Sequence, residues 1–378
     1  MSLEKLVQLS RRYGSNEEFV LSGGGNTSYK DDTFLYIKAS GVKLGTIDAD
    51  GFAALRLEKL NDMWKKQYPS EPEARDAEVL QDMLSARAEG EENRPSVETL
   101  LHALFPHSYV VHMHPPLVNG VTCSQDGEKV VRELFREDAL WIPTVNPGYV
   151  LARTVKEGIE DKTDHGKPFP KIVFMENHGV FVAADTTEEI DKQYERIFSA
   201  LKARLKRAPD FSAGPRENDE SFKTQVVHYT DAIKKNPHLR ESASACIFFT
   251  NREIQNFVAD EKSFVPVSSA YSPDHIVYYG HEPLFITSGK TVEEAMDRYV
   301  EKNGENPRII AVQGLGAFAA AETEKKAETA KALFLDAVKI AVYAESFGGH
   351  KFMPEDQINF IRFWEYEKYR KSVDSKEQ

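Results

Sequence analysis

The chain has 378 residues, 41% of them hydrophobic and 29% charged, enough for a sizeable core and, at roughly 150 residues per domain, for two domains. Its formal charge of −12 gives a nucleic-acid partner no basic footprint. An anionic ligand would need a local positive pocket made by a metal, backbone N–H groups or a few lysines.

Only Cys123 and Cys246 are present, far apart and in no CxxC arrangement, which excludes a disulfide framework and a thiolate zinc site. Residues 1–14 space Leu3, Leu6, Val7 and Leu9 like a short amphipathic helix, without the continuous apolar stretch of a signal peptide. No later run is long enough to span a bilayer, so a soluble, cytoplasmic protein is expected.

Helical and strand patterns then alternate, as in an α/β architecture. Residues 21–40 read as strand, glycine turn, strand, turn, strand, with SGGGNTS (residues 22–28) joining two strands. That placement is neither a Walker loop nor a dinucleotide turn leading into a helix. Its glycines let backbone N–H groups converge on an anion, with Asn26 and Ser28 adding side-chain bonds, although a tight hairpin explains the glycines equally well. Helices are expected over 73–88 and 97–104, and a strand over 109–114 stopped by Pro115 and Pro116. A further strand over 171–175 turns at Gly179 into another strand and a helix over 187–206. Residues 207–221, rich in Pro, Gly, Ser and charge, form the best linker. The expected domains are 1–209 and 222–378.

The second domain contains a partial repeat. PKIVFMENHGVFVAADT (residues 170–186) aligns without gaps to PRIIAVQGLGAFAAAET (residues 307–323), and a long helix follows each. Leu315 stands where His178 stands in the first copy, so the second is expected to lack the first copy's chemistry. The GxGxxA of the second copy imitates a nicotinamide-binding turn. That reading is rejected, because the aligned copy has a strand after the glycine and the acidic residue about 20 positions on, Asp336, lies inside a helical pattern.

The chemistry concentrates around HMH. Side chains alternate along a strand, so His112 and His114 share a face and can share one ion. His178 sits in ENHGV, where a turn at Gly179 presents side chains rather than packing them. Glu98 opens a helix close enough in sequence to pack beside HMH. Three imidazoles plus a carboxylate or water is a standard environment for catalytic zinc. His102, one turn after Glu98, reads as a core histidine or one that supports the site from behind.

In order, GGGNTS, the ASG turn, SVE, HMHP and NHGV over residues 22–184 resemble the class II aldolase/adducin family. The resemblance implies a central, largely antiparallel sheet flanked by helices, often in a cyclic tetramer with sites near subunit interfaces. It assigns a divalent metal, usually zinc, to His112, His114 and His178, and the acid/base carboxylate to Glu98. It matches Asn26, Ser40, Gly41 and Ser96 to positions that hold a substrate phosphate. Within the family, PSVETLLHALFPHS, SPDH, VQGLGAF and the FWEYEK region look like the aldolase portion of bifunctional rhamnulose-1-phosphate aldolase/alcohol dehydrogenases. Those proteins continue into a dehydrogenase domain that a chain ending at Gln378 is expected to lack. Val97 stands where many members have a second serine, and the family's tyrosine acid has no motif here, Tyr149 in NPGYVLA being the residue set against that role.

The implied reaction is retro-aldol cleavage of a ketose 1-phosphate, with L-rhamnulose 1-phosphate or a related 6-deoxyketose phosphate the leading candidate. The alternatives are 4-epimerisation or dehydration at the same site, and a non-catalytic adducin-like interaction module. The expected partners are a small phosphorylated sugar and further copies of the chain.

Overall fold

The computed structural model describes residues 2–214, 219–240 and 243–364. Residues 215–218 of the expected linker, and the FWEYEK motif beyond Trp364, lie outside the described residues. The chain divides into two compact units. One takes in residues 2–122, 126–204 and 363–364, the other 123–125 and described residues within 205–362.

The first unit is built on seven strands: β1 (Asn26–Lys30), β2 (Phe34–Lys38), β3 (Phe52–Arg56), β4 (Tyr109–Met113), β5 (Ala139–Ile142), β6 (Ile172–Met175) and β7 (Gly179–Ala184). Their order is β3-β2-β1-β4-β7-β6-β5. Every pairing is antiparallel except β5 with β6. Each residue of β4 and β7 is buried, which is why these strands read as continuous apolar runs: helices cover both faces of the sheet. Val110, Phe181, Leu100, Leu101, Val155 and Met175 share one core.

Two expectations shift. Residues 21–25 form a turn rather than a strand, with Ser22 at φ +52°, Gly25 at φ +65° and Gly24 N–H donating to Leu21 O. Two left-handed residues break the extended ladder, so the glycines lead into β1 instead of joining two strands. The helix expected over 187–206 is Thr187–Lys202. Residues 206–214 are tied into the second unit: Lys206 N–H donates to Ser346 Oγ, Arg207 pairs with Glu345 and Glu253, and Arg252 N–H donates to Ser212 O.

The second unit holds β8 (Ala245–Phe249), β9 (Leu284–Ile286), β10 (Ile309–Val312) and β11 (Gly316–Ala321) in the order β8-β11-β10-β9. The β8–β11 and β10–β11 pairs are antiparallel and β9–β10 is parallel, the order and sense of β4-β7-β6-β5. The hairpin registers coincide: Ile172 faces Val182 and Met175 faces Gly179 in one, Ile309 faces Ala319 and Val312 faces Gly316 in the other. Both turns carry a left-handed residue, Asn177 at φ +55° and Gly314 at φ +71°. Thr144 N–H donates to the Glu176 carboxylate, as Ser288 N–H does to Gln313 Oε1. Thr186 caps Thr187–Lys202 by accepting from Glu189 N–H, and Thr323 caps Glu324–Ala344 by accepting from Lys326 N–H. A strand therefore follows the glycine of GxGxxA, and Asp336 sits within a helix, as a dinucleotide turn would not allow. Among the described residues no helix is long and apolar enough to cross a membrane.

Candidate metal centre

The end of β4 delivers His112, buried, and His114, half-buried one residue beyond the strand. His114 keeps the extended course because its N–H donates to Phe19 O. The two side chains thus emerge on one face, and their Nε2 atoms lie 2.8 Å apart. His178 closes the group from the turn between β6 and β7, and one ligand atom from each of the three histidines lies within 4.8 Å of the others.

Two features let the turn come this close. Asn177 adopts a left-handed conformation, which asparagine tolerates better than most residues. Gly179 has no Cβ: one built there would stand 2.5 Å from Met113 O, 2.7 Å from His114 Cδ2 and 3.2 Å from His112 Cε1. Gly25 is also closely placed, since its Cβ would meet His112 O at 2.9 Å. Phe181 stacks on His112 with ring centroids 4.2 Å apart and meets His102 edge to face at 5.2 Å.

Glu98 is the N-cap residue of the helix Thr99–Leu104, not its first-turn interior. Its backbone N–H donates to Ser96 Oγ at 3.2 Å. Its carboxylate is buried and split in function. Oε2 accepts from Asn26 Nδ2 at 2.5 Å. Oε1 is 3.6 Å from both His112 Nε2 and His178 Nε2 and has no hydrogen-bond partner among the described residues. A buried carboxylate oxygen without a donor is costly unless a cation or proton donor faces it.

His112 points to the same conclusion. Its Nδ1 lies 3.1 Å from Val180 O; a carbonyl only accepts, so Nδ1 carries the proton and Nε2 keeps its lone pair for the site. A backbone carbonyl on the far nitrogen is a common way to orient a metal-ligating histidine. The donor set of three imidazoles and one carboxylate oxygen fits a divalent transition ion, and His112, His114 and His178 form a group that can hold one.

Asn26 lies opposite His112 in the β1–β4 register. Both ends of its side chain are used: Nδ2 on Glu98 and Oδ1 on His102 Nε2. His102 Nδ1 in turn meets Ser28 Oγ at 2.7 Å. Burial drives His102 well below the usual imidazole range, with His112 and Lys30 adding to the effect. Lys30 Nζ donates to the carbonyls of His102 and Phe105, closing the C-terminus of the Glu98 helix. Sequence spacing brought out His102 only as a supporting residue and passed over Lys30; an i,i+4 spacing from Glu98 was the available signal for the first.

Ser40, Gly41 and Ser96 come together through a bridge between Ala39 and Pro95, with Ser40 N–H donating to Arg94 O. Gly41 is left-handed at φ +86° and Ser96 is buried. Tyr149 begins the helix Tyr149–Asp164 in an aromatic cluster, 4.9 Å from Tyr68 and 6.2 Å from Trp64 between ring centroids.

Among the described residues the second unit keeps the frame without histidines at the equivalent positions. His112 faces Phe181 across β4–β7, and Phe248 faces Phe318 across β8–β11. Phe248, Thr250 and Leu315 therefore occupy the positions of His112, His114 and His178.

A mostly antiparallel sheet thus presents three imidazoles that can hold a divalent ion, with the Glu98 carboxylate beside them. Residues 4–205 match the Class II Aldolase and Adducin N-terminal domain, and residues 293–370 match the Aldolase class II, second domain. The chain belongs to the class II aldolase/adducin family, whose aldolases are metal-dependent. It is similar to the uncharacterized oxidoreductase YuxG of Bacillus subtilis (strain 168), with 24% identity over 415 residues covering 97% of this chain and 58% of YuxG. The chain thus spans little more than half the length of that relative. Among solved structures it is similar to the N-terminal class II aldolase domain of a conserved protein from Thermoplasma acidophilum, with 27% identity, 53% of this chain and 92% of that one covered, and a TM-score of 0.45. It is also similar to L-fuculose-1-phosphate aldolase from Thermus thermophilus, with 14% identity, 52% and 90% covered, and a TM-score of 0.34.

Proposed function

We propose that this chain is a metal-dependent aldehyde-lyase that cleaves a ketose 1-phosphate to dihydroxyacetone phosphate and an aldehyde, with L-rhamnulose 1-phosphate or a related 6-deoxyketose phosphate as substrate. The observation that carries the reading is Glu98 Oε1, buried without a donor among the described residues and equidistant from two imidazole nitrogens.

In this reading His112, His114 and His178 hold the ion, with zinc the expected metal. When bound, the ion supplies Lewis acidity to the carbonyl and neighbouring hydroxyl oxygens of the sugar, where negative charge develops as the carbon–carbon bond breaks. Glu98 Oε1 moves the proton at the carbon that becomes nucleophilic, while Oε2 stays tied to Asn26. Ser40, the Gly41 backbone and Ser96 hold the phosphate. Asn26 retains a second Nδ2 hydrogen that can serve the same anion. Residues 1–209 form the catalytic domain and residues 222–378 a degenerate repeat without ligands. The protein works in the cytoplasm as a homo-oligomer.

A panel of ketose 1-phosphates and pentulose 5-phosphates, assayed with and without chelator, tests this. Chelator-sensitive release of dihydroxyacetone phosphate is expected. Glu98→Ala should retain the metal and lose about 10²- to 10⁴-fold in turnover. Interconversion of pentulose phosphates without cleavage would make the protein an epimerase. Failure to rebind any divalent metal would leave the adducin-like module.

A further inference from the structure

A glutamate whose task is to present one oxygen has a mechanical difficulty. The terminal torsion of its side chain is broad and nearly two-fold, so the carboxylate turns unless something holds the other oxygen. Here Asn26 Nδ2 holds Oε2. An amide, however, can itself flip, and the flipped Asn26 would set its carbonyl oxygen against the carboxylate, acceptor to acceptor.

The next group decides which way the amide lies. His102 meets Asn26 through Nε2 and Ser28 through Nδ1. With Oδ1 toward the ring, Nε2 must carry the proton. Nδ1 is then an acceptor, and the Ser28 hydroxyl donates to it. Hydrogen bonds therefore run one way, from Ser28 to His102 to Asn26 to Glu98. Ser28 and His102 are completely buried, so bulk solvent does not reach either ring nitrogen. Lys30 fixes the His102 main chain through its carbonyl, and Phe181 packs against the ring edge.

We propose that His102 is a positioning residue for Glu98. It touches neither ion nor sugar, and acts by fixing the orientation of the Asn26 amide, which holds Oε2 back and leaves Oε1 facing His112 and His178. This rests on Glu98 being the proton-moving group. The same lock keeps the second Nδ2 hydrogen of Asn26 on the site side.

The test has two arms on the zinc-loaded full chain. The first is the ring tautomer, read from long-range proton–nitrogen NMR spectra of histidine-labelled protein and assigned with His102→Gln. A neutral ring protonated at Nε2 is expected. A ring protonated at Nδ1 overturns the proposal whatever sugar the protein acts on. The second arm is kinetic. His102→Leu, which removes the donor and keeps the bulk, should bind metal like the wild type, lose about 10- to 100-fold in kcat and leave KM within about twofold. His102→Gln, which restores a donor to Asn26 and an acceptor for Ser28, should recover most of the loss. Unchanged kcat in His102→Leu, loss of its metal, or no recovery in a folded His102→Gln would each overturn the proposal. Should His102→Leu not fold, the wild-type tautomer decides. Should no sugar phosphate be cleaved, the aldolase reading falls and the tautomer still tests the lock.

Discussion

Gly179 sets how near the β6–β7 turn can come to β4. A methyl group there meets backbone and two imidazoles at once, and neither the strand nor the ligands can yield cheaply. Gly179→Ala is expected to weaken metal binding at least tenfold and to destabilise the fold by about 1–3 kcal/mol, as read by competition with a chelator dye and by urea unfolding. Gly316→Ala, whose Cβ meets the Phe248 ring at 2.8 Å, should destabilise without touching metal affinity. Lys30 offers a second test. Burial lowers its ammonium to about 8 from the usual 10.5. Between those values the unfolded chain holds a proton that the folded protein lacks, so this residue makes stability rise with pH across that window. Unfolding measured near pH 8 and near pH 10 should show the wild type gaining on Lys30→Met by at most about 3 kcal/mol. The HMH pair was legible because strand alternation alone puts two histidines on one face. The support behind Glu98 was not: no local periodicity relates Ser28 or Asn26 to His102, more than seventy residues away. Nor could spacing show that Asn26 holds Glu98, because its partners are defined only when β1, β4 and the Glu98 helix meet.

At the level of elements, the two hairpin–helix units explain why the repeat was readable. The constraints that preserve it are local: a left-handed residue at Asn177 or Gly314, a glycine opening the second strand, and a threonine cap. Each leaves a mark on the sequence. Thr186→Ala should lower stability by about 1 kcal/mol through loss of the bond to Glu189 N–H, visible as a shift of the denaturant midpoint with metal stoichiometry unchanged. The short strands β5 and β9, of four and three residues, carry too few positions for a period. The supposed strand before Asn26 failed for the opposite reason: its apolar start was real, but two left-handed residues forbade the ladder.

At the scale of the molecule, one sheet pattern occurs twice among the described residues, and only the first copy has imidazoles at the positions of His112, His114 and His178. Metal analysis should find a single tightly bound divalent ion per chain. His178→Ala should abolish it. Leu315→His should add no second ion, since Phe248 and Thr250 leave a lone imidazole with no companions.

The turn at Gly314 has one further consequence. It holds the same register, the same handedness and the same helix cap with leucine in place of the third ligand, so the bend is sustained by the chain itself. The histidine turn is thus expected to keep its course when the ion is withdrawn. Withdrawing the ion should leave a folded apoprotein, cooler in its melting only by the mass-action term for ligand loss, unlike small zinc modules that unravel when stripped. In the second unit the chain already carries the same turn with Leu315 where His178 stands.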